Sequence, residues 1–267
     1  MIKTVKNLLF KLAPRKMAVI QSIRSRRRSH KLIKEWGILD LNRKLKAGLG
    51  KRIQAGPFMG AELPEDAFLE HVGPFLLGTY ESELNEIWPS LLEKTYSQVI
   101  DIGSKFGYYA VGLALRYPEI DIVAFDIDPW ARAATLAMIK DNGVKNARVD
   151  GFCDSKWVRK NLKPRALLIC DCEGYESELF GQDLGDNVGT LTAVIETHDQ
   201  LVPDASSRIR NTFQQTHELI EISNAGAVVA QAGLSFLSAD EISVALREIR
   251  TEQKWIVCIP KSKPNEA

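Results

Sequence analysis

The sequence is short of several things, and each scarcity excludes something. It holds 4 cysteines in 267 residues, Cys153, Cys170, Cys172 and Cys258, too few and too scattered for a disulfide framework. Cys170 and Cys172 stand two apart in an apolar run, as buried strand thiols in a reducing compartment would. Neither they nor the 4 histidines show the paired spacing of a zinc site. No run supplies the roughly 18 consecutive apolar residues of a membrane-spanning helix. The longest uncharged stretch, Ile222 to Ala239, is rich in Gly, Ser, Ala and Gln. The apolar stretches near the N-terminus are broken by Lys11, Arg15 and Lys16, so the unbroken segment of roughly 7–15 residues in a secretory signal is missing. A cytoplasmic location is the expectation. Only 8% of residues are aromatic, but 45% are hydrophobic and 26% charged, which excludes fibrous, collagenous and wholly disordered chains.

Charge is present in quantity and unevenly placed. The net charge is +1, yet residues 1–52 carry 16 Lys and Arg against 2 acids, leaving 19 basic and 32 acidic residues for the rest. A basic arm precedes an acidic body. Residues 1–55 read as one or two helices. Ile2, Val5, Leu8, Leu9 and Leu12 recur at helical spacing, and Met17 to Trp36 carries the block Arg24, Arg26, Arg27 and Arg28. Such an arm is either solvated or lies on an anionic surface, whether membrane or nucleic acid.

Gly56-Pro57, Gly60, Pro64, Gly73-Pro74 and Gly78 interrupt the helical pattern, so residues 56–94 read as a connector ending in a helix over Ser82 to Lys94, which Pro89 tightens or bends. From about residue 95 the pattern alternates strand and helix. Apolar runs at Val99–Ile102, Ile120–Phe125, Ala166–Cys170, Leu191–Ile195 and Trp255–Ile259, with a weaker strand before Phe152, are short and rich in Val and Ile. Helices are expected at Phe106–Tyr117, Pro129–Asn142, Ala205–His217 and Asp240–Arg250. This alternation predicts an α/β, doubly wound fold with a parallel sheet over residues 95–267.

In such a sheet, ligands bind beyond the carboxyl ends of the strands. The first strand ends in Asp101-Ile102-Gly103-Ser104-Lys105-Phe106-Gly107, where two glycines permit a tight turn and close backbone approach. This is not the dinucleotide fingerprint GxGxxG, which weakens a dehydrogenase reading. The second strand ends in Phe125-Asp126-Ile127-Asp128. Asp128 suits a helix cap, so Asp126 is the candidate for binding ribose hydroxyls. Asp154, after the third strand, could accept from an adenine amino group or cap a helix. The fourth strand ends in Asp171-Cys172-Glu173-Gly174-Tyr175-Glu176, and the fifth in Glu196-Thr197-His198-Asp199. Acids are costly to bury unless bound or hydrogen-bonded, and a His beside an Asp at a strand end is a candidate base.

The stretches VIDIGSKFGYYAVGLA and CDCEGYESELFG, with the segment Leu77-Gly78-Thr79-Tyr80-Glu81 upstream, resemble the FkbM-type branch of the class I S-adenosylmethionine-dependent methyltransferases. The resemblance covers about residues 75–260 and leaves out the basic arm. It implies a Rossmann-like, seven-stranded methyltransferase sheet whose last strand is antiparallel. It further implies that Asp101, Gly103 and Gly107 hold the methionine and ribose end of S-adenosylmethionine, that Asp126 binds ribose, that Asp154 binds adenine, and that Tyr80 and Glu81 close over the site, with Asp171 among the cofactor residues. Lys105 replaces the middle glycine found in many class I enzymes, as FkbM-type sequences often do.

The expected reaction is O-methylation of a hydroxyl on a glycan, lipid-linked saccharide or other small molecule. His198 is the candidate general base, oriented by Asp199 or Glu196, and Glu173 completes the expected catalytic set. Asp171, Glu173, Glu196 and His198 could alternatively hold a divalent cation; sugar binding or mutual pairing explains the same residues, and no metal is assigned. The arm would hold the enzyme against the inner face of an anionic membrane. Two other readings stand beside this one: an RNA methyltransferase using the arm on phosphates, and a non-catalytic scaffold that kept the fold.

Overall fold

The central strands present apolar side chains of alternating parity, and both sets are covered. In the computed structural model, which describes residues 14–223, 233–249 and 253–261, the strands are β1 (Gln98–Ile102), β2 (Asp121–Phe125), β3 (Ala147–Asp150), β4 (Leu167–Cys170), β5 (Thr192–Thr197), β6 (His217–Ser223) and β7 (Lys254–Pro260). Val99, Ile122, Ala124, Leu167, Ile169, Val194, Trp255 and Val257 point into one apolar cluster. Their neighbours Ile100, Ile102, Val123, Phe125, Leu168, Cys170, Ala193, Ile195, Ile256 and Cys258 point into the other. A period of two puts successive residues on opposite faces, so short runs of Val, Ile and Leu suffice to bury a sheet on both sides.

The strand order is β3-β2-β1-β4-β5-β7-β6. β1 to β5 run parallel, and β7 is antiparallel to both of its neighbours. The fold is therefore α/β, doubly wound and Rossmann-like, with seven strands and the reversed strand that the resemblance implies. Helices Ser155–Asn161, Glu176–Leu179 and Ala205–Phe213 cover one face. Helices Gly73–Leu77, Trp88–Leu92, Tyr108–Arg116, Pro129–Asp141 and Ala239–Leu246 cover the other. Among the described residues no helix is long and apolar enough to cross a membrane.

Three expectations change. Ser82–Lys94 is not one helix: it forms a 3-10 turn at Ser82–Leu84 and a short helix at Trp88–Leu92, because Pro89 supplies no N–H and sits at that helix's start. His217 does not end a helix but starts β6, an edge strand whose residues alternate in exposure. The basic segment is also not simply an outlying arm. Helices Pro14–Glu35 and Ile38–Leu49 insert Ile33, Ile38, Leu41 and Leu45 into the same core as β1. Burying four such side chains at about 1.5–3 kcal/mol each anchors this segment to the body. The apolar repeat Ile2 to Leu12 lies outside the described residues, as does Arg250, the expected end of a helix that the structure closes at Leu246.

Between β1 and β4 the chain's crossovers leave in opposite directions, which opens a crevice at the carboxyl edge. Gly103 (φ 94°) stands there, and a Cβ on it would lie 1.7 Å from the Asp171 carbonyl oxygen. Gly143 (φ 64°) has the same handedness with nothing within 4 Å of its would-be Cβ. Gly143→Ala should cost about 1 kcal/mol, the left-handed strain alone. Gly103→Ala should cost about 3 kcal/mol because strand ends must also part. Urea unfolding of both variants measures the difference; equal costs would mean that the contact is not tight.

Candidate functional site

The carboxyl ends of β1 to β5 wall a cavity of about 270 Å³. From β1 come Ile102, Gly103 and Lys105; from β2, Phe125, Asp126, Ile127 and Asp128; from the loop after β3, Gly151, Phe152 and Cys153. The β4 end adds Asp171, Cys172, Glu173 and Tyr175, and the β5 end adds Glu196. Tyr80 and Glu81 reach the cavity from the segment upstream of the sheet, together with His71 and Phe75, and Glu248 reaches it from the chain before β7. Ser22, Arg26, Ser29 and Ile33 of helix Pro14–Glu35 line the remaining side. The cavity is polarised: its β2–β3 end is mostly apolar, and its β4–β5 end gathers carboxylates.

Asp126 is the best-defined group of the first end. Its Oδ2 accepts the Lys105 N–H at 2.9 Å and its Oδ1 the Asp128 N–H at 2.8 Å. Two backbone donors fix the carboxylate, and each oxygen keeps a lone pair for another donor. Burial raises its pKa to about 6, against these two N–H groups, which lower it. Asp128 caps helix Pro129–Asp141 through the Trp130 N–H, as its position before Pro129 foretold. It also pairs with Arg26 at 3.1 Å, and that guanidinium stacks over Trp130 at 4.6 Å. One arginine of the basic segment is thus spent on the cavity rim.

Four residues named from the sequence stand elsewhere than expected. Asp101 is 2% exposed and off the cavity wall, accepting the Ala110 N–H at 3.1 Å. It ties the start of helix Tyr108–Arg116 to β1 and does not face a ligand. Gly107 is also off the wall, and a Cβ there would meet Thr135 Cγ2 at 3.0 Å, so it serves helix packing. Asp154 caps helix Ser155–Asn161 through the Trp157 N–H at 2.8 Å and does not line the cavity; its neighbours Phe152 and Cys153 do. Asp199 is exposed and accepts from the Ser206 N–H and hydroxyl, both at 3.2 Å, so it does not orient His198.

His198 is fully buried behind the acidic wall. Its Nδ1 lies 2.9 Å from Glu176 Oε1, an ion-pair contact that the sequence reading did not assign. Its Nε2 faces Glu196, Asp171 and Glu173 at 3.4, 3.6 and 3.9 Å. Burial would lower its pKa, but Glu176, Asp171 and Glu173 outweigh that and raise it to about 10. An imidazolium accepts no proton, so in this arrangement His198 is not the free base expected of it. Glu176, 0% exposed, also accepts N–H groups of Cys172 and Gly174 at 3.0 and 3.1 Å. Its only sequence signal was position, three residues past Glu173 at the end of β4. Glu81 keeps its expected place, with a left-handed backbone (φ 49°) and its carboxylate accepting the Tyr109 hydroxyl. The cysteines are free, and burial pushes the Cys172 thiol up.

No family model matches the chain, and no curated protein does. Among solved structures it is similar to an rRNA methylase from Streptococcus thermophilus, at 13% identity and TM-score 0.44 over 67% of this chain and 97% of that one. A precorrin-6y C5,15-methyltransferase from Geobacter metallireducens is similar at 12% identity and TM-score 0.40, covering 69% of this chain and 87% of that one. An O-methyltransferase family protein from Burkholderia thailandensis follows at 13% identity and TM-score 0.39, covering 67% and 57%. The strand order and directions define the fold independently of these likenesses.

Asp101 has a consequence for stability. Burial raises its pKa from 3.8 to about 7, with the Ala110 N–H opposing and Asp126 and Asp171 adding to the rise. An acid whose folded pKa is raised destabilises the fold increasingly as pH climbs from about 4 to about 7. Asp101→Asn should therefore be about 2–4 kcal/mol more stable than the parent at pH 8 and lose most of that advantage at pH 4.5. Urea unfolding at both pH values decides; an advantage independent of pH would show that Asp101 is not strained by its charge.

Proposed function

We propose that the chain is an S-adenosylmethionine-dependent methyltransferase of the FkbM type, acting on a hydroxyl of a glycan, lipid-linked saccharide or other small molecule. The observation that carries this reading is the Asp126 carboxylate, held at the end of β2 by two backbone N–H groups and open to the cavity. A half-buried acid kept in place with lone pairs to spare suits a ribose diol. The chemistry of the other walls fits the rest of the cofactor: an apolar end at Ile127, Phe152 and Cys153 for a flat ring, and an acidic end at Asp171 and Glu196 for a cation. The bound cofactor supplies a methyl group on positively charged sulfur.

The chain's own contribution is alignment. Gly103 brings backbone against the ligand, Asp126 fixes the ribose, and helix Pro14–Glu35 shields one side from water. Holding acceptor oxygen and methyl carbon in line at about 3–3.5 Å accounts for most of the rate such an enzyme gains. The acceptor end, where Glu81, Asp171, Glu173, Glu196 and Glu248 converge, favours a neutral or hydroxyl-rich acceptor over an RNA phosphate backbone.

Equilibrium dialysis with labelled S-adenosylmethionine tests the assignment, with NAD as competitor. Asp126→Ala should weaken binding about 10–100-fold, the loss of one or two hydrogen bonds to a charged acceptor. In the parent, affinity should fall about tenfold per pH unit below about 6, because a protonated Asp126 accepts poorly. Competition by NAD, or binding untouched by Asp126→Ala, would count against the reading.

The membrane part of the proposal draws on helix Pro14–Glu35. It leaves Ile20 and Ile23 exposed (42% and 48%) beside exposed Arg24, Arg27 and Arg28, the combination that seats a helix on anionic lipid. The full chain should sediment with phosphatidylserine vesicles at low salt and be released at high salt, while phosphatidylcholine vesicles retain little. Equal retention by both would rule out the electrostatic attachment.

A further inference from the structure

The carboxylates around His198 pose a problem of charge. Asp171, Glu173, Glu176 and Glu196 approach one imidazole, which can neutralise only one of them. We propose that His198, Asp171 and Glu196 bind one divalent transition-metal ion at the acidic end of the cavity, with Glu173 on its open side.

Two observations support the site, the spacing of its donor atoms and their burial without hydrogen bonds. One donor atom from each of the three residues lies within 4.8 Å of the others. His198 is fully buried, and its Nε2, which faces the carboxylates, makes no hydrogen bond; nor does the buried Asp171 Oδ1. The separations point the same way. Nε2 is 3.4 Å from Glu196 Oε2 and 3.6 Å from Asp171 Oδ1. Both exceed the roughly 2.7–2.9 Å of a charge-assisted hydrogen bond. Two ligands each about 2.1 Å from a shared ion stand about 3.4–3.6 Å apart when the angle between them is about 110–120°.

The far side of the ring is arranged accordingly. Glu176 Oε1 lies 2.9 Å from Nδ1, and the N–H groups of Cys172 and Gly174 hold that carboxylate in place. A carboxylate behind a ligating histidine fixes its tautomer and raises its donor strength. One imidazole with two carboxylates selects the class of ion. The nitrogen disfavours calcium and magnesium and the oxygens disfavour copper(I), which leaves divalent first-row transition metals, manganese(II) and zinc(II) among them. The site's use in catalysis rests on the methyl-transfer reading, since a cation there would make an acceptor hydroxyl more acidic.

The test uses the full chain, stripped with chelator and titrated with Mn²⁺ while free ion is followed by electron paramagnetic resonance; Zn²⁺ is titrated by calorimetry. One saturable site is expected. Asp171→Asn and Glu196→Gln should each weaken it at least tenfold, whereas Asp199→Asn, outside the cluster, should leave it within twofold. His198→Gln keeps most of the buried volume and should abolish binding with the circular-dichroism spectrum unchanged. A folded parent that binds neither ion, or an Asp171→Asn variant that binds like the parent, would overturn the site. Binding of S-adenosylmethionine is measured on the same samples. Metal binding without cofactor binding upholds the site and removes the methyl-transfer reading, and cofactor binding with no affinity for either ion removes the site alone.

Discussion

The carboxyl edge of the sheet depends on one close approach, that of Gly103 to the carbonyl of Asp171. These residues follow β1 and β4, the strands between which the winding of the sheet reverses. A side chain at 103 would drive the two strand ends apart. With none there, the Asp171 N–H still reaches the Ile102 carbonyl at 2.9 Å, and the β1 turn folds back so that the Gly103 and Ser104 N–H groups donate to Phe125 at 2.8 and 3.0 Å. That turn then delivers the Lys105 N–H to Asp126. One missing Cβ thus sets both the width of the crevice and the orientation of the acid proposed to hold the ribose.

Acids cluster at this edge at a cost to the fold. Asp101 and Asp126 both have pKa values raised by their removal from water, and His198 is surrounded by more negative charge than it can balance. Functional sites commonly hold groups that folding alone would not favour. A positively charged ligand at the β4–β5 end, whether sulfonium or metal ion, would relieve the same strain. The two proposals therefore share a physical origin while remaining separable by measurement.

Much of this was legible in the sequence because burial on both faces leaves a simple mark. The Val- and Ile-rich runs of β1, β2, β4, β5 and β7 stand out without context, and Asp128-Pro129 announces its helix. β6 did not stand out, since His217-Glu218-Leu219-Ile220-Glu221 on a sheet edge mixes charge with apolar residues much as an amphipathic helix end does. The site was legible by strand ends but not by orientation. Asp126, Asp171, Glu173 and Glu196 reach the cavity, whereas Asp101, Gly107 and Asp154 turn to backbone and packing tasks that equally suit their residue types. The pairing of His198 with Glu176 joins the chain after β5 to the start of a helix and has no local signature. Nor does the docking of Arg26 on Asp128 and Trp130, which brings part of a basic segment onto the cavity rim.

The central claim is that this cavity receives an adenosyl cofactor with its ribose on Asp126. A crystal structure of the chain grown with S-adenosylhomocysteine tests it most directly. The ribose hydroxyls are expected within hydrogen-bonding distance of Asp126, the adenine against Phe152 and Cys153, and the sulfur directed toward Asp171 and Glu196. A ligand seated elsewhere, or a cavity that excludes it while the protein is folded, would show that Asp126 does not hold an adenosyl ribose.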